Sequence, residues 1–562
     1  MREKKTVAIG IQNFEDLIVN QYFYIDKTKF LKEWWENGDA VTLIARPRRF
    51  GKTLTMDMVE KFFSVQYAGR GDLFEKLFIW QEEKYQKLQG QYPVISLSFA
   101  EIKEASFLEA KKQICILLSD LYRRNRFLLN QGDLMEIEKE EYLEFCRKIP
   151  EEYAITAIRR MAEYLYRYYG KRVVILLDEY DTPMQEAYLN GYWEELATFI
   201  RGLFHATFKT NLYLERAIMT GITRIGKESI FSDLNNLTII TTTSEQYQDS
   251  FGFTEQEVFT ALEEYGLSCK RQEVKSWYDG FTFGTQTDVY NPWSIINYLK
   301  LGKIKNYWAN TSSNSLAGKL IQESSYTIKE QFEWLLQGKF IQARIEEQIV
   351  FNQLGEDEDA IWSLLLASGY LKVVRHNWTN ENEIYKLALT NKEIKKMFEA
   401  MVAGWFRKPT AGAYNGFLRA LLEGKVEEMN LYMNQVALKT FSSFDIGNKP
   451  SKEVEPERFY HGFVLGLMVE LENRYILTSN RESGFGRYDV MLEPKDKKDI
   501  AYIFEFKVHN PKKEVSLEDT VMVAKKQIEE KQYETALVTK GIPPEHIKKY
   551  GFAFMGKTVL IG

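Results

Sequence analysis

The stretch from residue 41 to 59, VTLIARPRRFGKTLTMDMV, limits the possible folds of this chain more than any other. It begins with an apolar run rich in β-branched residues, passes through a basic loop to Gly51, Lys52 and Thr53, and continues with helix-forming residues. A strand, a loop and a helix in this order form the context of a phosphate-binding loop. There, Lys52 would reach the β- and γ-phosphates, Thr53 would bind Mg²⁺, and Gly51 would bring the first N–H groups of the helix to the anion.

At one position this stretch departs from the pattern G-x-x-x-x-G-K-[ST], because Arg46 stands where the first glycine is usual. The rest of the loop consists of Pro47, Arg48, Arg49 and Phe50. The arginines bring positive charge to a triphosphate, so we assign them and Phe50 to the nucleotide site. Without the first glycine the loop is expected to curve differently. Taken alone, the same residues would also suit a solvated basic turn before an ordinary helix.

A second apolar run, RVVILLDE, ends in two carboxylates, Asp178 and Glu179. Its consecutive aliphatic residues predict a strand buried on both faces, and ligands bind beyond the carboxyl edge of such strands in open α/β sheets. Asp178 would hold Mg²⁺ through water, and Glu179 would orient or deprotonate the attacking water. Taken alone, these residues would suit a buried strand followed by a capped turn. The basic loop followed by this acidic strand end, however, favours a nucleoside-triphosphate site.

Further apolar runs extend the predicted sheet. In RAIMTGITRIG, Thr220 or Thr223 stands where a polar sensor would contact the γ-phosphate, and Arg224 lies just beyond. Strands that alternate with helical stretches predict a parallel, doubly wound sheet. Lys52 and Asp178 should then lie within about 15 Å at one edge, because one Mg·nucleotide must touch both. The predicted strands are 41–45, 92–98, 172–178, 214–220 and 237–242.

From about residue 245 the pattern becomes helical. FGFTEQEVFTALEEYG predicts a helix capped by Thr254, with Glu257 at the capping-box position. Later, AIWSLLLASGYLKVV predicts a helix that turns through Gly369 into a strand, and a returning strand and another helix follow. This order is winged-helix-like. Such modules bind DNA in some proteins, but a structural role is favoured here.

The last part of the chain, from about residue 451, is a different unit. GRYDVMLEP and AYIFEFKVH predict neighbouring strands of a hairpin. Alternation puts Glu505 and Lys507 on one face, and Asp489 lies on the other strand. Two carboxylates that hold a hard cation, with a lysine that positions water or steadies developing charge, are the minimal equipment for metal-dependent phosphodiester cleavage. A strand that shows Glu and Lys on a solvated face is the more ordinary interpretation.

Two helices are predicted beside these strands. ERFYHGFVLGLMVEL carries Glu457 near its start, and this carboxylate is a candidate further metal ligand. VAKKQIEEKQYETAL follows the hairpin, and Gln527 and Lys531 share one of its faces at a spacing of i, i+4.

Length, charge and cysteine content limit the classes of protein to which the chain can belong. A chain of 562 residues is too long for one core and predicts three or four domains. The net charge of −5 gives no global basic field for nucleic acid. The N-terminus does not have the pattern of a signal peptide, and no run approaches the roughly 18–20 apolar residues of a membrane span. A cytoplasmic, reducing compartment is expected, because the three cysteines are scattered without metal spacing: Cys115, Cys146 and Cys269.

Together, these residues resemble a known bacterial family. The N-terminal two-thirds is similar to the AAA-ATPase-like family of P-loop proteins through YIDKT, RPRRFGKT, LLDEYDTP, TGITRIGKESIFSDLNNL, FGFTEQEV, WYDGF and NPWSI. The C-terminal unit resembles the PD-(D/E)XK nuclease-like domain through ERFYHGF, GRYDV, FEFKV and QIEEKQY. The resemblance implies a P-loop core of the ASCE type over 1–245, a helical lid over 246–300, a helical and winged-helix-like region over 301–450, and a restriction-endonuclease-like α/β domain over 451–562.

Motifs and resemblance together imply a P-loop protein that binds and hydrolyses ATP with Mg²⁺, fused to a Mg²⁺-dependent nuclease. ATP-gated cleavage of nucleic acid, with DNA favoured, in defence or mobile-element biology is the leading hypothesis, and the region from about 300 to 450 is the expected transmitter. The alternatives are a signalling or assembly ATPase whose C-terminal domain only binds nucleic acid or a partner, and a scaffold with a degenerate P-loop. No membrane is expected, and a homo-oligomer is left open.

The residues assigned to the two sites follow from these motifs. At the nucleotide site they are Gly51, Lys52 and Thr53 for phosphate and Mg²⁺, Asp178 and Glu179 for Mg²⁺ and water, and Thr220 and Arg224 as sensors. At the nuclease site they are Asp489, Glu505 and Glu457 for the metal, and Lys507 to assist the attack.

Overall fold

The structure, a computed structural model, divides the chain into two compact units. The N-terminal unit is Met1–Leu320 with Gly338–Lys395, and the C-terminal unit is Ile321–Gln337 with Lys396–Gly562. The residues that the structure describes are 4–223, 230–231, 234–309, 315–324, 326–345, 358–379, 382–405, 413–440, 464, 468, 471, 474–483, 486–555 and 558–562. The predicted sensor Arg224 and the predicted ligand Glu457 lie outside these residues.

A parallel five-stranded sheet forms the core of the N-terminal unit. Its strands are β1 (Val41–Ala45), β2 (Val94–Ser98), β3 (Val173–Asp178), β4 (Leu214–Gly221) and β5 (Leu237–Ile240), in the order β2-β3-β4-β1-β5. β4 lies between β1, which leads into the basic loop, and β3, which ends in a carboxylate. This insertion is the strand order of an ASCE-type P-loop core, so the predicted doubly wound sheet is confirmed.

Helices cover both faces of this sheet, and β1 and β3 are therefore buried along their whole length. Successive residues of a strand point to opposite faces, so Leu43 and Ile175 belong to one apolar cluster and Ile44 and Val174 to another. The helices of this part are α1 (Phe14–Val19), α2 (Lys29–Asn37), α3 (Lys52–Phe63), α4 (Glu83–Gln86), α5 (Phe107–Arg124), α6 (Leu128–Gln131), α7 (Glu136–Arg147), α8 (Ala157–Tyr169), α9 (Thr182–Asn190) and α10 (Trp193–Phe204).

A small antiparallel sheet follows, with β6 (Phe253–Thr254), β7 (Phe281–Phe283) and β8 (Gln286–Tyr290) in the order β6-β8-β7. Its helices are α11 (Glu255–Glu264), α12 (Arg271–Tyr278) and α13 (Pro292–Leu301). Thr254 and Glu257 form the predicted capping box of α11. Asn291 caps α13 by accepting hydrogen bonds from the N–H groups of Trp293 and Ser294, with proline at the first helical position.

The predicted order of helix, strand, turn, strand and helix is confirmed in the next region. It contains α14 (Ser315–Glu323), α15 (Tyr326–Leu336), β9 (Ile341–Arg344), α16 (Glu358–Ala367), β10 (Leu371–Thr379), β11 (Asn382–Leu389) and α17 (Lys392–Trp405). The three strands form an antiparallel sheet in the order β10-β11-β9. Gly369, with φ of +82°, makes the turn from α16 into β10. Residues 358–395 are called the hairpin module below.

The C-terminal unit contains a mixed five-stranded sheet. Its elements are α18 (Ala413–Glu423), α19 (Val426–Thr440), β12 (Tyr475–Ser483), β13 (Gly486–Pro494), β14 (Ala501–Val508), α20 (Leu517–Glu530), α21 (Thr535–Thr539), β15 (Ile547–Met555) and β16 (Thr558–Ile561). The strands follow chain order, and β14 and β15 are parallel whereas the other pairs are antiparallel. The predicted hairpin of β13 and β14 is confirmed.

Gly551 on β15 lets α20 lie directly on this sheet. It pairs with Glu505 across the strands, and a Cβ at Gly551 would lie 2.8 Å from the carbonyl oxygen of Val521. Any larger residue would push the helix away. The close approach brings the later turns of α20, including Gln527, over β14.

The outer strand β16 is sealed by side chains of α19. The amide of Asn430 donates to the carbonyl of Ile561 and accepts from its N–H. The amide of Asn434 does the same with Val559, and all four hydrogen bonds measure 2.7–2.9 Å. Two amide side chains thus replace a neighbouring strand and protect an edge that could otherwise pair with another chain. Within the described residues, no helix has the length and apolar character that crossing a membrane requires.

Candidate active sites

The basic loop joins β1 to α3 and ends at a helix N-terminus. Gly51 has φ of +85°, a left-handed conformation that glycine adopts without steric cost, and Lys52 and Thr53 form the first turn of α3. The first N–H groups of a helix have no acceptor inside it, and the helix dipole adds positive potential there. The start of α3 therefore offers the anion site that the motif predicts.

Thr53 contacts the carboxylate at the end of β3. Its Oγ1 donates to Asp178 Oδ2 at 2.7 Å, and Thr220 Oγ1 donates to the other carboxylate oxygen. Burial raises the pKa of Asp178 above its usual range. Hydroxyl and carboxylate oxygens are ligands that Mg²⁺ prefers, so the donor set fits this ion. The loop and Asp178 thus meet at one edge of the sheet, as predicted.

Lys52 is folded back onto its own loop. Its Nζ donates to the carbonyl oxygens of Arg46 and Pro47, at 2.8 Å each. Burial lowers the pKa of this ammonium to about 8. A polyanion beside it would favour the charged form, so the group is suited to exchange these carbonyl oxygens for phosphate oxygens.

Glu179 has a strained backbone at the end of β3. Its φ of +51° is rare for residues other than glycine, and such strain often accompanies functional sites. Its carboxylate accepts a hydrogen bond from Thr182 Oγ1 at 3.1 Å, and its N–H donates to Thr220 Oγ1 at 3.3 Å. Thr220 is buried and bonds both Asp178 and Glu179, so it positions these two acidic residues.

Arg46 occupies the position of the missing glycine, but its side chain serves as an anchor. The guanidinium bonds the carbonyl of Thr241, just beyond β5, and lies 4.5 Å from the ring centroid of Phe283. Its complete burial lowers the pKa of Arg46 to about 9. This placement departs from the expected contact with a triphosphate, because the side chain is enclosed among carbonyl oxygens and an aromatic ring.

Arg48 and Arg49 both line the cavity beside the loop. The guanidinium of Arg48 donates to Gln185 Oε1 at 3.2 Å, and that of Arg49 lies 4.4 Å from the ring centroid of Trp293. Arg49 also has φ of +67°. Contacts with α9 and α13 hold these two arginines beside the cavity, where their charge could face a bound anion.

Phe50 is the loop's apolar anchor. Its side chain is buried, and its ring centroid lies 4.8 Å from that of Phe281 and 5.3 Å from that of Phe283. A Cβ at Gly252 would lie 2.9 Å from the same ring. Phe50 therefore fixes the loop chiefly by packing, rather than through the ligand contact expected from sequence.

A cavity of about 410 Å³ adjoins the loop. Its lining includes Lys52, Thr53 and Glu179, and its volume falls in the range of small-molecule and cofactor sites. Apolar side chains from segments that are distant in sequence also line it: Ile11, Phe23, Ile25, Leu54, Met58, Trp293 and Ile296. A cavity lined by both phosphate-binding groups and apolar side chains suits a nucleotide. The sequence predicts the phosphate-binding groups but not the apolar lining.

In the C-terminal unit, Asp489, Glu505 and Lys507 come together as strand alternation predicts. Lys507 Nζ lies 3.2 Å from Glu505 Oε1, and Asp489 Oδ2 accepts the N–H of Phe506 at 2.8 Å. The Glu505 side chain is 1% exposed. A buried carboxylate beside a second carboxylate and a lysine offers the donor set that a hard divalent cation requires.

Helix α20 adds polar groups to this cluster. Gln527 Nε2 donates to Glu505 Oε1 and lies 3.1 Å from the hydroxyl of Tyr533. The pKa of Tyr533 is raised by burial and then by the charges of Glu505 and Asp489. The sequence predicts that Gln527 and Lys531 share one face of the helix. In the structure Gln527 contacts Glu505, whereas Lys531 is exposed. The motif QIEEKQY was the signal for Gln527 and Tyr533, although it assigned them no role.

A third group of carboxylates lies in the N-terminal unit, formed by Glu255, Asp279 and Asp288. Lys275 bonds Glu255 and Asp288, the latter at 2.9 Å, and lies 3.5 Å from Asp279. Since one ammonium pairs with all three carboxylates, the group is explained as an ion-pair network between α11, α12 and β8.

Two ranges of the chain match known protein families. Residues 8–231 match the family described as "Predicted AAA-ATPase", and residues 455–562 match the PD-(D/E)XK nuclease superfamily. The chain thus carries an AAA-ATPase-like domain and a PD-(D/E)XK-superfamily domain, as the motifs implied.

A curated relative, the "Uncharacterized protein in vnfD 5'region" of Azotobacter chroococcum mcd 1, is 26% identical over 90% of each chain. A solved structure, the Signal Transduction ATPase with Numerous Domains (STAND) protein with a tetratricopeptide repeat sensor from Pyrococcus horikoshii, aligns with 80% of this chain and 54% of its own. Its sequence identity is 12% and its TM-score 0.23, too low to establish a common fold. This chain spans about half the length of that protein's chain.

Proposed function

We propose that this chain binds and hydrolyses ATP with Mg²⁺, and that its C-terminal unit cleaves nucleic acid, with DNA favoured, under the control of the bound nucleotide. The observation that carries the proposal is the common edge of the parallel sheet, where Lys52, Thr53 and Glu179 line one cavity and Thr53 bonds Asp178. We place the activity in the bacterial cytoplasm, in defence or mobile-element biology, because a nucleotide-gated nuclease spares the cell's own nucleic acid until it is needed.

Each group at this edge has a part in ATP hydrolysis. Lys52 and the first N–H groups of α3 bind the β- and γ-phosphates. Thr53 and Asp178 would hold Mg²⁺, which when bound would neutralise charge that develops on the phosphates. Glu179, steadied by Thr182, orients the attacking water and accepts its proton.

The apolar side chains that line the cavity would enclose the base. Trp293 contributes an aromatic ring to this lining, and the guanidinium of Arg49 lies against that ring. Burial of a flat base against Trp293 and aliphatic side chains would supply affinity, whereas the polar groups of the lining would position the phosphates. This division fits a nucleoside triphosphate better than inorganic phosphate or a small sugar phosphate.

In the C-terminal unit, Asp489 and Glu505 would hold a divalent cation, and Lys507 would steady charge on the scissile phosphate or orient the water. When bound, the cation would supply a nucleophile at neutral pH and polarise the phosphodiester. Gln527 holds the orientation of Glu505, in the way that outer groups orient metal ligands.

A second function, in which this unit only binds nucleic acid or a partner, is favoured by one observation. Lys507 lies 3.2 Å from Glu505, so the ammonium already compensates the charge that would attract a cation. A domain that retained this pair for stability alone would show the same contact. Metal-dependent cleavage separates the two functions.

The test is to incubate the purified chain with single- and double-stranded DNA and RNA, with and without ATP and Mg²⁺ or Mn²⁺. Strand cleavage and phosphate release are measured in parallel. Glu179→Gln should keep ATP binding while turnover falls by about 10²–10⁴-fold, the usual contribution of a general base. Cleavage that requires metal supports the nuclease, whereas phosphate release without cleavage under every condition supports the binding function.

A further inference from the structure

The carbonyl group of Arg48, in the phosphate-binding loop, is held by donors from distant parts of the chain. Trp308 Nε1 donates to it at 3.0 Å and Asn291 Nδ2 at 3.3 Å. Trp308 is buried between Phe281 and Tyr370, with ring centroids 5.6 and 5.7 Å away. The indole is thus fixed by packing and brings its N–H to one backbone atom of the loop.

Fixing the orientation of the Arg48 carbonyl also fixes the orientation of the next N–H group. A peptide unit is planar and trans, so fixing the Arg48 carbonyl on one side directs the Arg49 N–H to the other. Backbone N–H groups of such loops are the donors to bound phosphates. Arg49 also has φ of +67°, a conformation that persists only when its surroundings enforce it. The two donors supply part of that enforcement.

Trp308 is held in turn by a buried carboxylate. Glu393 Oε1 accepts the N–H groups of Trp308 and Ala309 at 2.7 and 3.3 Å, and its Oε2 accepts the hydroxyl of Ser294 at 2.8 Å. Burial of a carboxylate is costly unless such donors satisfy it. Three hydrogen bonds at one buried side chain therefore make the turn at 307–309 a fixed support for the indole.

The hairpin module also packs against the loop directly. A Cβ at Gly369 would lie 2.8 Å from Cγ of Pro47. Lys52 now bonds the carbonyl of Pro47, and it must leave that atom to reach a phosphate. Once it has left, contacts from outside the loop, at Pro47 and at the Arg48 carbonyl, still hold the backbone.

We propose that Trp308 and Glu393 are positioning residues of the nucleotide site: Glu393 fixes the 307–309 turn, and the Trp308 indole N–H fixes the phosphate-binding loop through the Arg48 carbonyl. The proposal rests on the proposed function, since it requires nucleotide at this loop. It makes the hairpin module part of the binding site's support, although Glu393 need not touch the ligand.

The test is Trp308→Phe in the full chain, with the affinity for MgATP measured by calorimetry. Loss of one neutral hydrogen bond should weaken binding by about 3- to 10-fold. The matched control is Trp34→Phe, because Trp34 is equally buried and its indole donates to Thr42 Oγ1 at 3.1 Å, away from the loop. The control should lose a similar amount of thermal stability but keep its ATP affinity within about twofold.

Asn291→Ser gives a second route, because serine still caps α13 but lacks the amide donor to Arg48. It should weaken MgATP binding in the same direction. Glu393→Gln combined with Trp308→Phe should be non-additive in ATP affinity, whereas Glu393→Gln combined with Trp34→Phe should be additive.

The outcomes separate the positioning proposal from the proposed function. If the wild-type chain binds no MgATP, both are overturned. If the wild type binds and Trp308→Phe and Asn291→Ser bind equally well, only the positioning proposal is overturned. Should Trp308→Phe fail to fold, the MgATP affinity of Asn291→Ser decides the matter.

Discussion

The two candidate sites are built in different ways. In the C-terminal unit, Asp489, Glu505 and Lys507 come from neighbouring strands of one hairpin, and a single helix adds Gln527. In the N-terminal unit, the candidate catalytic groups lie at the ends of parallel strands, and the loop beside them is anchored by residues far along the chain. Trp308 lies 260 residues after Arg48, whose carbonyl accepts its hydrogen bond.

This difference shows what replaces a missing glycine. A glycine-rich loop adopts its shape because its own residues permit it. Here the loop has Arg46, Arg49 and Phe50, and each side chain is fixed to an element outside the loop. Single substitutions in the hairpin of β13 and β14 should therefore abolish cleavage of nucleic acid. The nucleotide site should also be sensitive to substitutions at residues that do not touch the ligand.

The largest effect is expected at Glu505. Glu505→Gln keeps an acceptor for Gln527 but removes the charge that would hold a cation, so metal-dependent cleavage should fall by about 10³-fold. ATP turnover should stay within about twofold, because Glu505 belongs to the other unit and is not part of the nucleotide site. A gel-based cleavage assay beside phosphate release checks both. Glu493→Gln, on β13 and paired with Lys540, is the control and should cleave normally.

Loss of ATP turnover in Glu505→Gln would contradict the separation of the two sites. Unchanged cleavage in that variant would show that the carboxylate does not hold the metal, and would leave the binding function.

The next effect, at Lys52, concerns both ATP binding and cleavage of nucleic acid. Lys52→Ala should weaken MgATP binding by about 100-fold, because charge-assisted contacts to phosphate are lost. If nucleotide gates the nuclease, the same variant should also change the cleavage rate, although Lys52 belongs to the other unit. Cleavage is measured across a range of ATP concentrations. A variant that cuts like the wild type at every concentration would disprove gating.

Much of both sites could be predicted from sequence because their signals are local. Consecutive aliphatics ending in Asp178 gave β3, and alternation in FEFKV placed Glu505 beside Lys507. The anchors could not be predicted, since no period or spacing connects Trp308 with Arg48, or Asn430 with the edge strand β16. Arg46 illustrates the limit: its charge indicated phosphate, while its burial is decided by residues near 241 and 283.

A smaller effect should appear at Gln527, which orients Glu505. Gln527→Leu keeps the volume but removes the donor, and loss of such an outer contact typically costs about 10- to 100-fold in metal affinity or activity. The expected result is a raised metal requirement for cleavage, measured by titration with Mn²⁺, and partial recovery at saturating metal. Lys531→Leu, four residues later and exposed, should leave the metal titration unchanged.

The last effect is on stability rather than on activity, and it concerns the carboxylate that supports the nucleotide loop. Burial raises the pKa of Glu393 from its ordinary 4.5 to about 7, and Tyr278 and Tyr307 are the titratable groups that face it. The folded state thus binds a proton more tightly than the unfolded chain does. Stability from this group is fully present below pH 4.5 and is lost as the pH rises through about 7. The change amounts to about 3 kcal/mol in the free energy of unfolding.

Glu393→Gln stays neutral and should remove that step. Denaturant unfolding at pH 5 and pH 8, followed by tryptophan fluorescence, measures it, since most tryptophans lie in the N-terminal unit. The difference between the two pH values should shrink by about 2.5 kcal/mol in the variant, because part of the contribution is already lost at pH 5. Glu423→Gln is the control, because its neighbours Lys425 and Arg419 lower the Glu423 pKa to about 2, and it titrates outside the window. An unchanged difference in Glu393→Gln would mean that the buried carboxylate stays charged throughout, held by its three donors. Its contribution to the loop would then be independent of pH.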